Sequence, residues 1–143
     1  MHTERRNVNR GYMKLEVWND AQDLAKSVHD FLKNVRELDL RLRSQILDAA
    51  HSIPANIAEG YCRRTVNEYL QFLSVALGSA GELMSRMVGL KETRLIDQSE
   101  FEEFDMKHYG VENKLLNLVK AVQAKRREGT WIQELHEPSE PYA

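Results

Sequence analysis

The sequence has a single cysteine, Cys62, so it can form neither an intrachain disulfide nor a thiolate metal cluster. Proline is scarce as well. Of three in the chain, Pro138 and Pro141 fall near the C-terminus, and only Pro54 interrupts the body of the sequence. No apolar run approaches membrane-spanning length, and the opening "MHTERRNVNR" lacks the apolar core of a signal peptide. The expectation is a cytoplasmic protein without membrane contact. An excess of charge is also missing: 20 basic against 22 acidic residues give a net charge of −2. That excludes a general polyelectrolyte attraction to nucleic acid and leaves only uneven placement of charge as a route to it. No segment alternates apolar and polar with period two, and no glycine-rich phosphate or dinucleotide loop occurs.

What is present is helical periodicity. The 143 residues suit one domain. From Lys14, the residues Val17, Trp18, Ala21, Leu24, Ala25, Val28, Phe31, Leu32 and Val35 recur at three- and four-residue spacing. After a turn at Asp39, Leu42, Ile46, Ala49, Ala50, Ile53 and Ile57 form the stripe of a second helix, which Gly60 is placed to end as a C′ residue. "TVNE" from Thr65 offers a capping box for a third helix with Tyr69, Phe72, Leu73, Ala76, Ala80, Leu83, Met84 and Met87 on one face. "SEFE" from Ser99 offers another for a fourth, with Phe101, Phe104, Val111, Leu115, Leu118, Val119 and Val122. Short connections favour antiparallel neighbours, hence an all-α, antiparallel up-down-up-down four-helix bundle. It occupies residues 14–127, between a flexible basic N-terminal arm (1–13) and an acidic C-terminal tail (128–143). Within that tail Trp131, Ile132 and Leu135 either make one docking apolar turn or stay disordered.

Pro54 stands inside the second helix, in "SIPANIAEG". It removes a backbone donor and crowds the carbonyl of Ala50, so a kink is expected, with Asn56 and Glu59 satisfying freed groups or bonding across an interface. Together with "VWNDAQDLA" (17–25) and "LRSQILDAAHSIPANIAEGYCRRTVNEYLQFLSVALGSAGEL" (42–83), this stretch resembles the bacterial four-helix-bundle family encoded in 23S rRNA intervening sequences. The signature positions are Pro54, Asn56, Glu59 and Gly60. The resemblance spans roughly residues 14–125. It implies a left-handed bundle that assembles as a homopentamer. The related accessory variability protein of diversity-generating retroelements is also a pentamer, and it binds nucleic acid and a reverse transcriptase. The chain departs from the family at its first turn, "LDLRLRSQ", where members often carry glycine, in its acidic balance, and in its "TWIQELHEP" tail.

Catalytic chemistry finds little footing. Asp48-x-x-His51 and Asp105-x-x-His108 have the spacing of bundle di-metal ligands, but helical projection turns Asp48 and His51 away from the core, and Glu82 likewise. His108 falls on the apolar face as a hydrogen-bonded core-edge histidine. Cys62 has Arg63 and Arg64 beside it, which would lower its pKa, but no histidine nearby in sequence. No enzyme, metal or cofactor is expected.

Two features point instead to binding. On the third helix Ser74, Gly78, Gly81, Ser85 and Gly89 share one face, opposite Ala76, Ala80 and Met87. Glycines inside a soluble helix cost about 1 kcal/mol each against alanine, and close approach by another subunit would offset it. Meanwhile the bundle topology brings Arg5, Arg6, Arg10, Lys14, Arg63, Arg64, Lys125, Arg126 and Arg127 to one pole. Against these nine stand Glu4, Glu16, Glu59 and Glu128, a local balance of +5. The expected function is a non-enzymatic homo-oligomeric scaffold whose basic pole binds RNA or DNA backbone, or a reverse transcriptase or other nucleic-acid enzyme. The alternative is a purely protein-binding assembly module.

Overall fold

The computed structural model describes residues 3–129, which contain five helices and no strand. A short 3-10 helix, Val8–Lys14, precedes four long helices: α1 (Glu16–Leu32), α2 (Leu40–Tyr61), α3 (Val66–Glu92) and α4 (Gln98–Glu128). The expected stripes supply the core. Val17, Ala21, Leu24 and Val28 of α1 meet Ile46, Ile53 and Ile57 of α2, Leu73, Ala76, Leu83 and Met87 of α3, and Phe104, Val111 and Leu115 of α4 in one buried cluster. Phe31, Val35, Leu42, Met84, Phe101, Leu118 and Val119 are only partly buried and pack around its edge.

Each long helix touches two others in cyclic order, α1 to α2, α2 to α3, α3 to α4 and α4 to α1. Cross-helix pairs give the directions. Ser52 meets Ser79 while Gln45 meets Arg86, and Lys107 meets Ser27 while Lys114 meets Asp20. Numbers therefore fall along one helix as they rise along its neighbour. Two polar contacts lie between helices near mid-length. The hydroxyls of Ser52 and Ser79 are 2.8 Å apart, and Nε2–H of fully buried His108 donates to the Ala80 carbonyl at 2.7 Å.

Helix ends follow local chemistry, with several corrections to the sequence reading. The segment read as a loose arm is helical from Val8, and its Tyr12 and Met13 pack against the core. Extended Leu15 then separates it from α1, so α1 begins two residues after Lys14. At the other end α1 stops at Leu32, whose carbonyl accepts from Arg43 Nη1 at 3.1 Å, leaving Val35 in the turn. Asp39 caps α2 through the Leu42 N–H. Thr65 caps α3, but Glu68 reaches back to the threonine hydroxyl rather than to a backbone donor, so the box is only half formed. For α4 the cap is Asp97, not Ser99. Asp97 and Glu100 form the full reciprocal box at 2.8 and 2.9 Å. Gly129 ends α4 in the left-handed conformation (φ 68°) that a glycine reaches without strain.

Gly60 was the expected stop of α2, and it is not one. The helix runs on to Tyr61, and Gly60 is buried inside it. A Cβ there would lie 2.8 Å from Phe72 Cβ and 3.0 Å from the Tyr69 ring. Its missing side chain lets α2 approach α3. Pro54 also sits buried within an unbroken α2. Asn56 Nδ2 donates to both the carbonyl (2.8 Å) and the hydroxyl (2.9 Å) of Ser52, and Glu59 accepts from Arg63 at 2.8 Å. Both polar signature residues are thus held within the helix and its C-terminal flank. The expected tail lies beyond the described residues except for Glu128 and Gly129, so Trp131, Ile132 and Leu135 fall outside them.

Candidate nucleic-acid interface

Three segments meet at one end of the bundle. Tyr61, at the end of α2, presses its hydroxyl against Gly11, where a Cβ would come within 2.1 Å of it. Its ring also stands edge-on to Tyr12 and Tyr69, at 6.4 and 6.0 Å between centroids. The Cys62 thiol donates to the Asn9 carbonyl at 3.2 Å. Arg126 Nη1, on the last turn of α4, donates to Asn67 Oδ1 at the start of α3 at 3.1 Å. These contacts tie the N-terminal segment, the α2–α3 turn and the end of α4 together, which brings the basic residues of all three to one pole.

The nine cations are not equivalent. Arg63 is half-buried, paired with Glu59 and stacked over the Phe72 ring at 4.7 Å. Arg6 and Arg10 bond to carbonyls of their own segment, and Arg5 sits among them. Arg126 is held by Asn67, and Lys125 is also engaged. Lys14, Arg64 and Arg127 are exposed and have no partner among the described residues. Of the opposing glutamates, Glu16 is taken by Lys114 at 2.7 Å, and Glu59 by Arg63. The bonds to Asp20 and Glu16 push the Lys114 ammonium up from its ordinary range. The pole therefore offers three free cations beside Arg6 and Arg10, whose guanidinium groups are held by backbone carbonyls, and Arg63 and Arg126, which are held by side chains. That is suited to contacting phosphates and carries no base-reading geometry of its own.

Cys62 is not the activated thiol that its arginine neighbours suggest. Burial raises its pKa, and this outweighs the opposing effect of Arg63. The metal reading fails on geometry. Asp48 and His51 face outward, and His108 is occupied by Ala80, with its Nδ1 3.4 Å from Glu112 Oε1. Among the described residues no group of three or more His, Cys, Asp or Glu side chains could hold a metal ion. One pairing had no signal in the sequence. His29 and His51 meet Nε2 to Nε2 at 2.8 Å between α1 and α2, 22 positions apart.

The glycine–serine stripe of α3 faces outward as expected. Ser74, Gly78, Gly81, Ser85 and Gly89 are all exposed, and a Cβ on any of the three glycines would meet nothing within 4 Å. Val75, 49% exposed, lies beside it. Among the described residues no helix is long and apolar enough to cross a membrane.

The family model described as "23S rRNA-intervening sequence protein" matches residues 13–117. Among solved structures, the chain is similar to a protein of unknown function from the S23 ribosomal protein family of Bacteroides thetaiotaomicron. The TM-score is 0.67 at 23% identity, covering 73% of this chain and 98% of the other. At that identity the likeness bears on the fold. No curated protein matches.

Proposed function

The chain belongs to the family of 23S rRNA-intervening sequence proteins, and from that premise we propose that it is a non-enzymatic, homo-oligomeric scaffold binding nucleic-acid backbone through its basic pole. The observation that carries this is the convergence of three segments on one end, with Lys14, Arg64 and Arg127 exposed and unengaged there. In this reading the chain is a left-handed up-down-up-down bundle in the cytoplasm, and five copies form a ring. The small-residue face of α3 is a subunit contact, where the absence of side chains at Gly78, Gly81 and Gly89 permits close helix approach. Helices lying roughly along the ring axis would put five poles on one face. The summed charge makes binding salt-sensitive and nearly indifferent to sequence. A reverse transcriptase or another nucleic-acid enzyme docking on the ring is a further consequence of the family resemblance.

The test is fluorescence anisotropy with labelled single-stranded RNA and duplex DNA, on the full chain and on an Arg64→Glu/Arg127→Glu double variant that leaves the engaged Arg63 intact. Binding by the full chain should fall steeply as salt rises above about 50 mM, and the double variant should bind at least about tenfold more weakly. Equal binding by both proteins, or none at about 50 mM salt, refutes the reading and leaves a protein-only assembly module in its place.

A further inference from the structure

α4 carries a second seam on the side away from the core. Its buried residues Phe104, His108, Val111 and Leu115 face the bundle. Opposite them Glu102, Met106, Tyr109, Asn113, Leu116 and Lys120 follow one another at spacings of four, three, four, three and four. That is the a/d repeat of a coiled coil, carried on the face that the bundle leaves bare. All six residues are exposed. Of seven large apolar side chains exposed among the described residues, three lie here: Met106 at 76%, Tyr109 at 63% and Leu116 at 46%. Isolated exposed apolar residues are ordinary on a protein surface, but three in heptad register on one helix are not isolated. The seam bears no charge between its ends, and the ends have opposite signs.

We infer that this seam pairs, antiparallel, with the same seam of a second copy. Turning one helix over about a dyad level with Val111 matches every seam position to another. Glu102 meets Lys120 of the second copy, Met106 meets Leu116, and Tyr109 meets Asn113, each twice. This is the a-to-d register of an antiparallel coiled coil, with an asparagine at a central layer to fix it. A parallel pair would set Glu102 against Glu102 and Lys120 against Lys120. A foreign helix would have to supply acid, apolar, polar and base in the reverse order, and this chain already does so. The end charges are available: Lys120 has no partner among the described residues, and Glu102 accepts from the neutral Gln98 amide at 2.7 Å. Gly110 flanks the dyad, and an added Cβ there would meet nothing within 4 Å, so two backbones can approach closely on that side. On the other flank Glu112 faces its own copy, a like-charge contact that opposes pairing. It is drawn back by His108, whose Nδ1 lies 3.4 Å from Glu112 Oε1. Acid early and base late in α4 also suit the dipole of the helix itself, but that leaves the heptad of apolar residues unexplained. The seam is about 27 Å long, short for a coiled coil, so the association is weak. It points two basic poles in opposite directions. It uses α4 and is separate from the ring contact proposed for α3.

The test is disulfide trapping in a Cys62→Ser background, where a hydroxyl can still donate to the Asn9 carbonyl. A Glu102→Cys chain and a Lys120→Cys chain are oxidised at micromolar concentration, apart and mixed. The mixture should cross-link at least about tenfold faster than either chain alone, because only a reversed pair holds the two positions together. Adding Met106→Lys/Leu116→Lys to both chains should abolish the trap. Both positions are exposed and lysine is a good helix former, so helicity by circular dichroism should be retained. With the native cysteine in place, sedimentation velocity should show weaker self-association for Glu102→Lys and for Lys120→Glu. The two combined should restore it, since the pairs then re-form with their signs exchanged. Cross-linking of either chain alone as fast as the mixture would overturn the proposal. So would no cross-link in the mixture, the outcome if another protein is the occupant, and so would a trap indifferent to the two lysines or a charge exchange that restores nothing. Gly78→Leu should leave the trap intact, so the α3 and α4 contacts can fail separately.

Discussion

Replacing Gly60 with alanine adds one methyl group where α2 lies against α3. The new carbon would sit 2.8 Å from Phe72 Cβ, 3.0 Å from Tyr69 Cδ1 and 3.2 Å from the Tyr69 carbonyl oxygen. Carbon–carbon contacts are most favourable at about 3.5–4.0 Å, so the helices must part by roughly 0.7 Å or more. Neither neighbour can simply swing aside. Phe72 Cβ is fixed to its backbone, and Tyr69 is 2% exposed within the core. Overpacking of this kind costs about 1–3 kcal/mol, against about 1 kcal/mol gained from the better helix propensity of alanine. Gly110→Ala receives the same gain with no atom within 4 Å to oppose it. The two variants should therefore differ by about 2 kcal/mol in stability, with Gly60→Ala below the parent and Gly110→Ala above it. For a chain of this size that separates their Tm values by roughly 5–8 °C. Thermal unfolding by circular dichroism reads the difference, at one protomer concentration because assembly would make Tm depend on it. If Gly60→Ala raises Tm as far as Gly110→Ala does, close packing is not the reason for the glycine.

Other consequences are equally open to measurement. Gly78→Leu should leave helicity intact but reduce assembly, and a parent protein found by light scattering at its monomer mass of 16.6 kDa would remove the interface altogether. Burial, then the neighbouring His51, Arg43 and Lys33, lower the pKa of His29 below the usual histidine value of about 6.5, with Asp30 opposing them. The unfolded chain then binds the proton more readily, so stability should be full above pH ~6.5 and fall as pH drops below it. His29→Gln should flatten that fall, and an unchanged profile would show that the pair does not couple to folding. Glu37 and Arg94 hold φ of 59° and 64° in the turns before α2 and α4. Relief of left-handed strain of about 1–2 kcal/mol, less the greater freedom of glycine when unfolded, should let Glu37→Gly stabilise the chain by about 0.5–1 kcal/mol in denaturant titration.

Helix faces were legible in the sequence because burial needs only local period, as with Leu24, Ala76 and Val111. Caps were less so. Asp97–Glu100 and Ser99–Glu102 are both acceptable boxes two residues apart, and local pattern alone does not choose between them. Gly60 was misread for a different reason. A glycine near a helix end fits a stop signal, and only the placement of Phe72 on another helix reveals the close approach. The basic pole was legible because short turns constrain where helix ends meet. Which of its cations are free was not, since Arg63 and Arg126 find partners on other turns or helices. The His29–His51 pair depends wholly on how helices are set against one another.

The neighbours Ser79 and Ala80 reach in opposite directions, one to Ser52 on α2 and the other to His108 on α4. Much of the surrounding core is alanine, with Ala49 and Ala50 on α2 and Ala76 on α3, and such surfaces look nearly alike after a one-turn slide. A slip of that size, about 5.4 Å, carries both polar contacts out of reach and strands a buried imidazole, at about 1–3 kcal/mol, while the Ala80 carbonyl keeps its bond within α3. The two bonds thus act as an alignment pin across three helices. An apolar substitute for His108 that preserved the melting temperature would still remove the pin, and the chain would trade one vertical setting of its helices for several of similar energy.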